Sequence, residues 1–159
     1  MKSETFPIYE YNGARSLIIL HAKHINSFFK VWCKAKDHNV LLPNTEDPDY
    51  ESLETLLRHV LNSSGGYLTW ICKKLNLPDP KIRKVSDLDK ILQEAPEYIN
   101  QLLEKWKSQL VNVKEENFYT PSFTSKWGSE YCIDAMLEHA VMHPLRHEFQ
   151  LITLLEQQS

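Results

Sequence analysis

The chain has 159 residues, enough for one domain with a substantial buried core. Its net charge is −3, with both signs mixed along the chain. The lack of a basic stripe argues against a nucleic-acid surface, and the lack of an acidic tail against a solvating arm. No stretch approaches the ~20 apolar residues of a membrane span; the run Leu17–Leu20 is cut short by His21 and Lys23. Met1–Pro7 has no apolar run, so no signal-peptide core is expected there. Cys33, Cys72 and Cys132 are odd in number, widely spaced and without a CxxC pair. They read as small core residues of a protein in the reducing cytoplasm.

The pattern predicts four helices within a single domain over residues 1–159. The first spans about Asn12 to Lys36, with a seam of Ala14, Leu17, His21, Ile25, Phe28 and Trp32 at spacings of 3 and 4. A polar loop with Pro43 and Pro48 follows, to Asp49. The second helix spans about Tyr50 to Leu75, with Pro78 and Pro80 beyond its end and Gly65–Gly66 weakening its middle. Ser86, with Asp89 completing a capping box, is expected to start the third. Leu88, Ile91, Leu92, Ile99, Leu102, Leu103, Trp106 and Leu110 form its apolar face, and Pro96 predicts a kink or a break. The connection from Val111 to Gly128 is rich in aromatic residues and is expected to pack on the bundle. The fourth helix spans about Ser129 to Glu156.

The fourth helix carries the chemistry. Ile133, Met136, Ala140, His143, His147, Gln150 and Leu154 follow a 3-4 spacing, so two histidines occupy interior positions where Leu would be the default. Imidazoles at i and i+4 can chelate one divalent metal, and a third ligand must come from another helix. His59 is the best candidate, on a stripe of Leu56, His59, Ser63, Gly66 and Trp70 that is small and polar beside it. Small and polar residues inside a bundle point to a cavity. The competing reading is a pair of core histidines bonded to carbonyls or waters. His21 is interior and reads as an outer-shell group, a proton carrier or a satisfied core histidine. His139 lies on the flank of the seam, as an outer-shell or exposed residue. Gln150 lies one turn past His147 and can hydrogen-bond a ligand. Pro144 sits between the two imidazoles and frees the Ala140 carbonyl.

The pattern His-x3-His-x-x-Gln at His143, His147 and Gln150 resembles the last helix of the DinB/YfiT-like family. His139 one turn earlier, Trp127–Gly128 upstream, Leu57–Arg58–His59–Val60 and, more weakly, Tyr11–Asn12 extend the similarity. The resemblance implies an all-α four-helix bundle of up-down-down-up topology. It also implies a three-histidine site, His59, His143 and His147, for a divalent ion such as zinc or nickel. Glu148–Phe149 departs from the Arg-Gly common in the family, which leaves the ligands intact and the substrate open. Some family members are transferases that use a low-molecular-weight thiol.

Three neutral ligands leave an ion its charge and an open position. Such an ion can lower the pKa of water towards ~7 or hold a thiol as thiolate. The expected function is therefore a divalent-metal-dependent enzyme of thiol S-transferase or hydrolase type, acting on a small molecule. No nucleic acid or membrane is expected as partner, and a homodimer is left open. The alternative is a non-catalytic metal-binding or stress-associated interaction module.

Overall fold

A computed structural model describes residues 5–158. The stretch Met1–Glu4, part of the segment read as lacking a signal-peptide core, lies outside the described residues, as does Ser159. The fold is all-α. Its elements are α1 (Asn12–Asp37), a 3-10 turn (Pro48–Tyr50), α2 (Leu53–Lys74), α3 (Ile91–Gln109), the short α4 (Glu116–Tyr119) and α5 (Ile133–Gln158). Two-residue strands, β1 (Phe123–Thr124) and β2 (Glu130–Tyr131), pair antiparallel before α5. Among the described residues no helix is long and apolar enough to cross a membrane.

Contacts between helix ends fix the directions. The Trp32 indole N–H donates to the Leu53 carbonyl, so the end of α1 meets the start of α2 and the two run antiparallel. Trp106 donates to Ser64, and Cys72 lies against Gln109, so α2 and α3 run the same way. Tyr11 reaches Asp134 at the start of α5, and Leu41 exchanges hydrogen bonds with Gln158 at its end, so α5 parallels α1. The topology is up-down-down-up, as the family resemblance implied. The core between the helices includes Phe28, Trp32, Leu57, Leu61, Ile71 and Trp106.

Parallel neighbours need a connection that returns along the bundle, and residues 75–90 supply it. Asn62 on α2 holds this crossover with both ends of its side-chain amide: Nδ2 donates to the Val85 carbonyl at 3.0 Å, and Oδ1 accepts from the Val85 N–H at 2.8 Å. The Tyr98 hydroxyl donates to the Arg83 carbonyl. These bonds tie the segment around Ser86 in an extended path, which is why Ser86 does not start a helix. The third helix begins at Ile91 instead, after Lys90, which makes no side-chain cap. Leu92 is consequently exposed rather than part of the apolar face. Pro96, near the start of the helix, does not break it: α3 continues unbroken to Gln109.

The second helix starts three residues later than its sequence pattern predicts. Ser52 caps it, accepting from the Thr55 N–H while the Thr55 hydroxyl accepts from the Ser52 N–H. Gly65 and Gly66 lie inside a continuous helix. A Cβ on Gly65 would meet Ile82 Cγ2 of the crossover at 2.8 Å, so this glycine is what lets the crossover lie against α2. The connection after α3 packs as expected through Phe118, which is fully buried. The seams themselves drift. In α5 the buried face moves from His143 and His147 to Leu151 and Leu155, leaving Gln150 exposed. A strict 3-4 spacing has a period of 3.5, and a straight helix at 3.6 falls behind it by ~20° per heptad.

Gly65→Ala should destabilise the protein by about 1–3 kcal/mol, because the stiff β-branched Ile82 cannot yield cheaply. Urea unfolding checks this, and an added Ile82→Ala change should reduce the cost specific to Gly65→Ala. A neutral Gly65→Ala would mean that the crossover does not lie where the structure places it.

Candidate metal centre

His143 and His147 project from α5, and His59 from α2, into the seam between the two helices. One nitrogen from each ring lies within 4.8 Å of those of the other two. His59 Nε2 and His143 Nε2 are 3.0 Å apart. The His143 and His147 ring centroids are 4.8 Å apart and nearly perpendicular. His143 and His147 are buried, while His59 is partly open. α5 runs without a break through Pro144, so both of its imidazoles stay on one helix.

Two groups orient the rings: Gln150, which the sequence pattern singles out, and Asp49, which it does not. Asp49 Oδ2 lies 2.8 Å from His59 Nδ1. Gln150 Oε1 lies 2.8 Å from His147 Nδ1 and accepts from the Tyr50 hydroxyl at 3.1 Å. A carboxylate and an amide oxygen both accept, so Nδ1 donates in each ring, and in the neutral imidazole Nε2 then keeps its lone pair. Asp49 sits in the 3-10 turn Pro48–Tyr50, capped by Asp47, whose carboxylate accepts from the Asp49 N–H. The Thr55 hydroxyl of the α2 capping box donates to the Asp49 carbonyl. The signal of Asp49 and Tyr50 lay in no periodicity, because a turn presents them rather than a helix. A proline between aspartates, Asp47-Pro48-Asp49, was the local hint.

Burial holds His143 and His147 neutral. The His143 pKa is pushed down to about 2, first by desolvation and then by His147, His59, Arg146 and His139. His147 is lowered to about 4, again chiefly by desolvation, with the bond to Gln150 opposing the shift. Neutral nitrogens with free lone pairs are what a divalent cation requires. His143 Nδ1 is buried without a hydrogen-bond partner, and the ring's polar contact is through Nε2, 3.0 Å from His59 Nε2. Two nitrogens bonded to one zinc at about 2.0–2.1 Å lie no more than about 4.2 Å apart. The closest pair here meets that limit at 3.0 Å, and all three nitrogens lie within 4.8 Å, a little beyond it. The residues therefore fit a divalent ion.

The remaining histidines fall elsewhere. His139 is half-buried, stacked on Trp127 at 5.1 Å and edge-on to Tyr67 at 5.1 Å. Tyr67 in turn packs edge-on against His143, so His139 supports that ligand candidate through rings rather than a hydrogen bond. His21 is not beside the group. It is 1% exposed, packs on Trp106 at 4.4 Å and lies 3.0 Å from Ser64 Oγ, which makes it a core residue rather than an outer-shell group. Glu148 faces α1, where it accepts from the Ser27 hydroxyl, and Glu138 is exposed. Beside His59 lies a cavity of about 430 Å³, bounded on α2 by Ser63 and Gly66, where a Cβ would meet nothing. The small polar stripe does leave open space.

The fold and the site define a helical bundle with a three-histidine group suited to a divalent metal. The sequence profile of the DinB family matches residues 42–158, and the chain belongs to that family. Neither the curated proteins nor the solved structures compared with it include a match.

Burial of His21 carries a pH consequence. Its pKa is lowered from 6.5 to about 3, mainly by desolvation and further by His24. The unfolded chain binds this proton at higher pH than the folded one. The stability is therefore full above about pH 6.5 and is lost as pH falls towards 3. A His21→Gln variant should lose about 2 kcal/mol less between pH 7 and pH 5 than the unchanged protein. Urea unfolding at the two pH values measures this, and equal losses would contradict a buried neutral His21.

Proposed function

We propose that the chain is a divalent-metal-dependent enzyme of thiol S-transferase or hydrolase type, acting on a small-molecule substrate in the cytoplasm. The observation that carries this reading is that His59 belongs both to the three-imidazole group and to the wall of the cavity. A structural zinc is closed by four protein ligands. Here the group among the described residues has three, and it opens onto space for a ligand.

His59, His143 and His147 would hold the ion, zinc or nickel by the chemistry of three imidazoles. Bound there, it would supply the positive charge that favours the anionic form of a thiol or a water at neutral pH. The protein's own groups orient and exclude. Asp49 and Gln150 fix the tautomers of His59 and His147. Tyr67 packs edge-on against His143 and His139 stacks on it, with Trp127 stacked in turn on His139, so aromatic rings cover that ligand candidate. The Tyr67 hydroxyl, its pKa raised to about 12 chiefly by burial, stays protonated and acts as a donor at the cavity wall rather than a base.

A general base is harder to find. Asp49 is engaged by His59, Glu148 by Ser27, and Glu138 points to solvent. Water activation needs such a base more than a low-molecular-weight thiol does, since a thiol ionises far more readily. The absence of a free carboxylate at the group, among the described residues, favours the thiol branch.

The double change His143→Ala with His147→Ala should abolish stoichiometric uptake of zinc or nickel in equilibrium dialysis, with the helical circular dichroism retained. Full occupancy in that variant would place the ligands elsewhere. Protein reconstituted with zinc, nickel or manganese should conjugate a low-molecular-weight thiol to an electrophile faster than it hydrolyses esters or amides. In a cobalt-substituted sample, added thiol should shift the coordination spectrum. An unchanged spectrum together with no turnover would leave a non-catalytic metal-binding module.

A further inference from the structure

The cavity beside His59 carries a charge opposite to that of the whole chain, which is −3. Three segments distant in sequence bring cations to its wall: Arg58 from α2, Lys84 from the crossover and Lys126 from the turn between β1 and β2. The acid on the same wall is Asp49, already engaged by His59 at 2.8 Å. Lys36, Lys90 and Lys107 each have a carboxylate partner within the described residues, whereas Arg58, Lys84 and Lys126 have none. Unpaired cations gathered on one concave wall set a positive potential there, with Lys84 and Lys126 exposed and Arg58 partly buried.

Another part of the wall is aromatic, with Tyr67, Trp70 and Trp127. Trp127 is held edge-on by Tyr67 at 6.3 Å and stacked on His139, yet 48% of it remains exposed. The turn that carries it is fixed. The Ser125 N–H donates to the Ser129 carbonyl at 2.8 Å, the Ser129 N–H donates to the Ser125 hydroxyl, and Gly128 supplies the left-handed φ of +89°. An indole fixed in place and left open is a surface for a planar ligand.

We propose that this cavity takes a small organic acid with a planar apolar body. Its carboxylate lies among Arg58, Lys84 and Lys126, its body along Trp127 and Tyr67, and its far end at the three imidazoles. This rests on the proposed metal-dependent enzyme and names its substrate class. The volume of about 430 Å³ suits a molecule of that size. The ammonium and guanidinium groups answer the negative charge, and no free acid on the wall opposes it. The crossover, which the up-down-down-up topology requires, thereby contributes Lys84 to the site.

The test uses 2-naphthoate and its neutral isostere 2-naphthamide, titrated calorimetrically into the full chain with and without zinc. The acid should bind about tenfold more tightly than the amide, the effect of a few partly screened charge contacts. The preference should shrink at high salt and hold in the metal-free protein. The triple variant Arg58→Gln, Lys84→Gln, Lys126→Gln should lose the preference while keeping its circular dichroism and its zinc stoichiometry. Equal binding of acid and amide, binding of neither, or a preference that survives in the triple variant would overturn the proposal. A preference seen only with zinc would overturn it too, since the ion rather than the three side chains would then hold the carboxylate. If zinc fails to bind but the metal-free protein keeps a preference that the triple variant loses, the metal reading falls and the acid site stands.

Discussion

Everything at the site depends on burying two imidazoles one helical turn apart between α2 and α5. A buried imidazole cannot easily hold a proton, and a neutral one still needs its polar atoms answered. The chain meets the second demand selectively. Asp49 and Gln150 answer the Nδ1 atoms of His59 and His147, and the Nε2 atoms are left facing the middle of the group. Three imidazole nitrogens within 4.8 Å of one another, with two of the rings held by acceptors at Nδ1, present the donor set of a divalent cation, and that is the physical argument for a metal.

The rest of the architecture holds this arrangement in place. α5 is parallel to α1 and tied to it at both ends, by Tyr11 with Asp134 and by Leu41 with Gln158. The capped start of α2 fixes the turn that presents Asp49. The crossover from α2 to α3 is clamped by Asn62 and admitted by Gly65, and it brings Lys84 to the cavity. The turn before α2 and the crossover are irregular, and they supply Asp49 and Lys84, groups that the helices alone do not.

The sequence shows the helical parts well. Two histidines at positions where Leu is the default stand out because a helix has a single period, and their interior placement follows from it. The space at Ser63 and Gly66 is visible for the same reason. The connections are where the pattern fails. Ser86 and Asp89 have the spacing of a capping box, but bonds from Asn62 and Tyr98 hold that stretch extended, and no local rule contains those partners. Asp49 reaches His59 from a turn ten positions away. His21 has the same seam signature as His143, yet it faces Ser64 and Trp106. Periodicity says that a residue is interior, not which interior group it meets. The drift from Gln150 to Leu151 is smaller and comes from the mismatch between 3.5 and 3.6 residues per turn.

The most direct test of the account is elemental analysis of the full chain purified without an affinity tag, before and after equilibration with zinc or nickel. The account predicts one divalent ion per chain, lost when His59, His143 and His147 are all replaced by Ala in a variant that keeps its helical content. A folded, unaltered protein that holds no metal and takes up none would contradict it.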